Sequence, residues 1–306
     1  MRLFPSSSQA ADRPRLAVEV APDGVLAGRS QAADDALSAA AFVPLPTPFA
    51  AGLSAPLFPE REPVLEALRS ALDSVDATAR DLTLILPDAC TRILLLDFDT
   101  LPAKPQEILP LIRFRLRRML PFDADTAAVS YQPLRALKLG AGGATTVIAA
   151  AMPGDVREEF EALVRSAGRE PGVLLPATLA ALAALPATGS HLLVHTGRDF
   201  MTTAITRDGE LVLYRRTEYA ETEPGEIAQA VLIAAAYFED TLKMPLTEVW
   251  AAGLESPELL RQHLDQDGGW RIPLRSLVGA DTFATGSAPA QTAASRFTSV
   301  VGALRG

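Results

Sequence analysis

Cysteine is almost missing from this chain of 306 residues. Cys90 is the only one, so no intrachain disulfide and no cysteine-based zinc site can form. Histidine is nearly as scarce. His191, His195 and His263 are too few and too scattered for a metal motif. His191 and His195 stand four apart in an expected strand, which puts both on one face but at a distance, so no metal site is expected. Lysine occurs only at 104, 138 and 243, and the net charge is −9. That balance argues against a chain built around nucleic acid, which needs a basic footprint. Long apolar runs are absent as well. The opening MRLFPSSSQAADRPR has no continuous apolar stretch of signal-peptide length. The most apolar helix candidate, Ile227–Phe238, is about half a membrane span. The expectation is a cytoplasmic protein that reaches a membrane surface only through a partner.

What is present is a globular composition, 48% apolar and 21% charged, on a length sufficient for two compact domains. Residues 1–13 form a polar tail. Arg15–Ala21 and Val25–Arg29, around Asp23-Gly24, predict a hairpin. Prolines at 44, 46, 48, 56 and 59 predict loop or edge strands up to Glu62, because proline cannot donate to a ladder. Pro63–Val75 predicts an amphipathic helix, with Val64, Leu65, Leu68, Leu72 and Val75 on one stripe. Two strands follow, Leu82–Leu86 and Arg92–Phe98, separated by the turn-forming Pro87-Asp88-Ala89. A proline-flanked helix over 106–120 carries Arg113, Arg115, Arg117 and Arg118 in its last turns and closes at Pro121-Phe122-Asp123. A third strand begins near Val129. Gly140–Gly143 predicts a flexible turn and Thr145–Ala151 a buried strand. Asp155–Ala167 predicts a helix capped by Asp155 and ended by Gly168. Pro176–Leu185 predicts a buried apolar helix.

The rhythm changes at Gly189. Three strands are expected at His191–His195, Phe200–Thr206 and Glu210–Arg216, the last two joined at Arg207-Asp208-Gly209. A long helix over Pro224–Lys243 comes next, then a strand Glu248–Ala252 ending at Gly253. A helix Pro257–Leu264, a short strand Arg271–Leu274 and a final helix from Ala288 to Leu304 complete the chain. Two meander-plus-helix halves in one chain imply a duplicated α/β architecture, although no sequence repeat is visible. The divisions expected are a tail at 1–13, a first-domain core at 14–86, an inserted subdomain of ββαβ type at 87–170, a core helix and linker at 171–189, and a second domain at 190–306.

Catalytic signatures are missing. No Gly-x-x-x-x-Gly-Lys-Ser/Thr loop, no Gly-x-Ser-x-Gly elbow and no Gly-x-Gly-x-x-Gly after a strand occurs. The order of elements instead resembles the actin-like ATPase fold, a duplicated ribonuclease H-like α/β fold. In that fold a hairpin turn from each half holds the phosphates of a nucleotide, and acidic residues in those turns hold its metal. In the first turn here, Glu19 stands at the usual Asp, Ala21 at the usual Gly, and Pro22 removes a backbone donor. In the second, Val194-His195-Thr196-Gly197-Arg198-Asp199, Gly197 is retained but His195 takes the Asp place. The third segment, Ala251-Ala252-Gly253-Leu254, has one Gly where two are common. The plain reading is a set of ordinary turns at a decayed nucleotide site. The alternative keeps ATP with magnesium, and Gly197 and Gly253 are then the residues left to hold the nucleotide. No base or metal pair for hydrolysis can be named.

A narrower resemblance covers most of residues 14–306. Leu-Pro-Asp after the strand Leu82–Leu86, the strand Arg92–Phe98, and the helix ending Met119-Leu120-Pro121-Phe122 are similar to PilM, the actin-like protein of type IV pilus assembly. The Tyr131 strand, the Ala149–Ala151 strand end, the Ala167-Gly168 helix stop, Asp208-Gly209, Tyr214-Arg215-Arg216 and the Gly302–Arg305 ending resemble the family too. The cytoplasmic region of the type II secretion protein GspL is more distantly similar. One departure stands out: Arg115 replaces a Glu common about seven residues before the Phe.

The resemblance implies a scaffold rather than an enzyme, a pseudo-ATPase held at the inner face of the inner membrane. Its partner would be a PilN-like bitopic membrane protein, whose short cytoplasmic tail fits a groove lined by the 82–96 strands and the 106–120 helix. A motor ATPase of the same pilus or type II secretion system would be a further partner. Arg113, Arg115, Leu116, Arg117, Pro121 and Phe122 are the candidate partner-binding residues. A solvated basic face is the alternative for the arginines, and the spacing of Ile108, Ile112, Leu116 and Leu120 suits core. Two rival functions are a nucleotide-binding actin-like ATPase or sugar-kinase relative, and an FtsA-like filament former. The ending 295–306 is short for the amphipathic membrane helix the latter uses.

Overall fold

Pro22-Asp23 folds Leu16–Ala21 (β1) back onto Gly24–Arg29 (β2), with Ala21 opposite Gly24. The turn therefore lies one residue earlier than expected, and Gly24 belongs to the strand. A Cβ at Gly24 would overlap the Phe42 ring on the adjoining strand, Ala39–Pro44 (β3). The computed structural model describes residues 13–32, 36–134, 145–198, 200–218, 223–266, 269–288 and 293–305. The tail over 1–12, the Gly140–Gly143 turn and Asp199 lie outside the described residues.

After β3 come Arg61–Asp76 (α1) and Asp81–Leu86 (β4), then an insert made of Arg92–Phe98 (β5), Pro105–Leu116 (α2), Ala128–Pro133 (β6) and Thr145–Met152 (β7). Gly154–Ser166 (α3), Glu170–Pro176 (β8) and Ala177–Leu182 (α4) lead back to the first sheet and the junction. The second half holds Ser190–Thr196 (β9), Phe200–Arg207 (β10), Glu210–Glu218 (β11), Pro224–Leu242 (α5), Glu248–Ala252 (β12), Pro257–Leu264 (α6), Leu274–Ser276 (β13) and Thr298–Arg305 (α7).

The duplication is plain in the pairing. The first sheet runs β3-β2-β1-β4-β8 and the second β11-β10-β9-β12-β13. In each, an antiparallel three-strand meander continues into two parallel strands. The insert is a separate antiparallel sheet, β5-β7-β6. The α1 stripe Val64, Leu65, Leu68, Leu72 and Val75 is buried against the first sheet, in one core with Val156, Phe160, Leu163 and Val164 of α3. On the second sheet, Ile227, Val231 and Phe238 of α5 share a core with Leu260 and Leu264 of α6. Between the halves, α4 and α7 cross. A Cβ at Gly302 would overlap the Ala180 carbonyl oxygen, so glycine permits the close helix approach there. The core around this crossing draws on both sheets, from Ala17 and Ile85 to Leu193 and Ala204.

Several expectations need correction. Glu170–Pro176 is a strand that the sequence conceals, because Pro171, Gly172 and Pro176 read as turn residues; as an edge strand it tolerates them. The arginine-rich helix ends at Leu116 rather than 120, with residues 117–119 in turns that close onto the Leu116 carbonyl. Pro121 disfavours helical backbone just before it. Asp155 does not cap α3. Pro153 holds that position, and the Asp155 carboxylate accepts from the adjacent Val156 N–H at 2.8 Å. The short strand shifts from 271–274 to Leu274–Ser276, since Pro273 can only accept, here from Val249 N–H at 2.8 Å. The last helix is a 3-10 turn, Ala294–Phe297, followed by α7.

Candidate functional sites: the junction cluster and the insert

A buried polar cluster sits where the two halves and the insert meet. Asp88 follows β4 in a 3-10 turn started by Pro87, and only 1% of it is exposed. Its Oδ1 accepts from the Thr178 N–H at 3.0 Å, in the first turn of α4. Its Oδ2 accepts from the Thr178 hydroxyl and, at 3.3 Å, from that of Thr202 on β10. His195 on β9 places Nδ1 2.8 Å from the same Thr178 oxygen. That hydroxyl has one proton and gives it to Asp88, so the imidazole carries its own proton on Nδ1 and donates. Burial pushes the His195 pKa down, with the Asp88 charge opposing. Burial and then the Asp88 charge raise the pKa of Tyr214 on β11, with the Thr202 and Thr178 side chains opposing.

Glu19 on β1 completes the cluster. It is half-buried as a residue, with its Oε2 buried and without a hydrogen-bond partner among the described residues. Burial, then the Asp88 charge, push its pKa up to about 8; Arg296 and a hydrogen bond from Ser299 on α7 pull the other way. Among the described residues no group of histidine, cysteine and carboxylate side chains is arranged to hold a metal.

The two glycines singled out from sequence, Gly197 and Gly253, both lie against protein atoms. A Cβ on Gly197 would overlap the Phe200 ring, and its N–H donates to the Phe200 carbonyl at 3.0 Å. Gly253 has φ +77°, and a Cβ there would overlap the Thr196 carbonyl oxygen. The second turn and the end of β12 thus pack directly on one another. The first turn is covered too: the Leu45 and Phe49 amides donate to the Asp23 and Pro22 carbonyls, each at 2.9 Å. Arg296 pairs with Asp23 at 2.7 Å and lies 4.3 Å over the Phe42 ring.

The arginine-rich segment is divided in its roles. Arg113 donates to the carbonyls of Ala124, Asp125 and Ala127, tying α2 to the following loop. Arg115 donates to the Asp97 carbonyl at 2.9 Å and lies over the Phe98 ring. Arg117 grips both oxygens of Asp125 at 2.9–3.0 Å. Leu116 is fully buried in the insert core with Ile112. Pro121 is exposed and Phe122 half-buried. The exposed apolar side chains of this region are Phe114, 60% exposed, and Met119, 50% exposed; composition alone does not distinguish them from core. On β5, Leu96 and Phe98 face the insert core, while Ile93 and Leu95 stay half-buried against the central core.

Sequence reasoning missed Asp88, Thr178, Thr202 and Tyr214 as a group. The available signal was slight: an acid directly after a buried strand, and one hydroxyl at the head of an apolar helix.

Two sheets of identical strand order, joined by crossing helices and carrying turn residues at the junction, define an actin-like fold. Solved structures agree. The chain is similar to one from a PilM–PilN type IV pilus biogenesis complex, with TM-score 0.74 and 16% identity over 95% of this chain and 98% of that one. It is similar to the cytoplasmic domain of EpsL, an inner-membrane component of the type II secretion system of Vibrio cholerae, with TM-score 0.53 and 12% identity over 95% and 94%. A Bacteroides thetaiotaomicron protein of actin-like ATPase fold superimposes with TM-score 0.51 and 11% identity over 85% and 89%. No protein-family model and no curated protein matches the chain.

Proposed function

We propose that this chain is a PilM-like scaffold of a type IV pilus or type II secretion platform, acting by binding rather than catalysis. The observation that carries the reading is the near-complete superposition, at TM-score 0.74, on a chain solved in a PilM–PilN complex. The partner is then the cytoplasmic tail of a PilN-like bitopic membrane protein, which brings the scaffold to the inner membrane. Through that recruitment the scaffold links the membrane subcomplex to a motor ATPase of the same system.

The docking groove of this reading runs along the insert. Among the described strands β5 pairs only with β7, which leaves backbone groups on its other edge for an added strand. Ile93 and Leu95 offer half-buried apolar surface on the same strand. Phe114 and Met119 add exposed apolar surface from the helix side. Three observations support an idle nucleotide site: desolvation and the Asp88 charge push the Glu19 pKa up to about 8, Gly197 and Gly253 are used for packing, and the Asp88 carboxylate is already hydrogen-bonded through both oxygens.

The test is calorimetric titration with a synthetic peptide. Its sequence is the N-terminal tail of a bitopic protein encoded beside this chain. Micromolar binding is expected, weakened at least tenfold by Leu95→Glu and unaffected by Arg216→Gln. Failure to bind, or equal binding by the Leu95→Glu variant in its folded state, overturns the reading. Micromolar affinity for ATP with magnesium would favour the nucleotide-binding alternative.

A further inference from the structure

β5 of the insert and β11 of the second half pack against each other and leave a cavity of about 430 Å³. Arg92 from β5 and Arg216 from β11 both line it, with Thr91 and Tyr214 beside them and Glu218 among the lining residues. Two guanidinium groups from distant parts of the chain therefore share one space. Burial, then the charge of Arg216, lower the Arg92 pKa, with the Glu218 charge opposing.

Asp88 and Glu218 line the same space, so two carboxylates face the two cations, but the guanidinium donors are not all used. Arg216 keeps only 13% of its side chain exposed, while Glu218, which takes its Nη1 at 2.7 Å, is 73% exposed. The Arg216 Nε is buried and has no hydrogen-bond partner. Its guanidinium also lies over the Phe200 ring, 5.7 Å from the centroid. Among the described residues, Arg92 gives Nη1 to the carbonyl of its neighbour Thr91, at 3.1 Å. Asp88 lines the cavity as well, but both its oxygens are taken by Thr178 and Thr202. What is left over is donor capacity, on two planar groups suited to forked oxygen acceptors.

We propose that this cavity binds an oxyanionic group of a small molecule, a phosphate or a carboxylate, held jointly by Arg92 and Arg216. The volume lies in the range of small-molecule sites. An anion there takes up the unused donors of both guanidinium groups and fastens the insert to the second half. Ile93 of the docking reading also lines the cavity, but the two arginines are not part of that reading, and the site is tested without any peptide.

The experiment follows thermal unfolding of the full chain in inorganic phosphate and, separately, in succinate. Chloride at equal ionic strength is the reference. A rise of roughly 3 °C or more at saturation is expected for at least one of the two. The midpoint of the response should shift at least tenfold in Arg92→Gln and in Arg216→Gln, and stay in place in Arg118→Gln. The arm that responds tells phosphate from carboxylate. If Arg216→Gln does not fold, Arg216→Lys keeps the charge without the fork and should weaken the response. No rise beyond chloride, or the same midpoint in all variants, overturns the proposal.

Discussion

Asp88 and Thr178 lie ninety residues apart and are joined by two hydrogen bonds, one from the Thr178 amide at 3.0 Å and one from its hydroxyl. The pair fastens the entry to the insert to the head of α4, the helix that crosses between the halves. Asp88→Asn keeps the shape but turns one acceptor into a donor facing donors. A loss of about 2–3 kcal/mol is expected, read by urea unfolding. A change under about 0.5 kcal/mol, the level of an ordinary surface substitution, would sink this account.

Glu19 should make stability depend on pH. Its pKa rises from 4.5 to about 8 on folding, so between those values the folded state holds a proton that the unfolded state has lost. Stability therefore falls as pH rises through this window, by up to about 1.4 kcal/mol per pH unit from this group. Glu19→Gln removes the dependence. The variant should be more stable than the parent at pH 8, with a much smaller gap at pH 5. A gap that narrows with rising pH contradicts the assignment.

Arg113 and Arg118 sit five residues apart in one basic segment but should behave differently. Arg113→Gln removes donors from three loop carbonyls and is expected to cost about 2 kcal/mol. Arg118→Gln should fall within about 0.5 kcal/mol of the parent. Equal effects would mean that the three-carbonyl tie does not hold the loop.

Gly253→Ala tests what the glycine is for. With φ at +77° and the Thr196 carbonyl in the way, a methyl group should cost about 3 kcal/mol or more. In parallel, calorimetry of the parent with ATP and magnesium should show no affinity tighter than millimolar. Tight ATP binding by the parent, lost in a Gly253→Ala variant of unchanged stability, would make the glycine a nucleotide residue instead.

Much of the architecture was legible because burial writes itself into periodicity. The β5 strand Arg92–Phe98 and the α6 helix Pro257–Leu264 fall where the pattern puts them, and the α1 stripe is buried as its spacing implies. The β8 strand was not legible, since edge position, which excuses its prolines, is a property of the sheet rather than of the segment. The arginines near 115 were legible as a cluster but not as separate roles. Whether a guanidinium meets a carbonyl or water depends on a loop folded back from residues 123–127.

The sequence alone determined the alternation of elements, the two similar halves, the scarcity of cysteine and histidine, and the residues standing in the turns after β1 and β9, because each rests on local composition and spacing. Only the tertiary structure decided that Glu19, Asp88, Thr178, His195, Thr202 and Tyr214 form one cluster, and that Arg92 and Arg216 share a cavity. These groups come from separate strands and helix ends, and the low-dielectric junction that couples their charges exists only once both halves have closed on it.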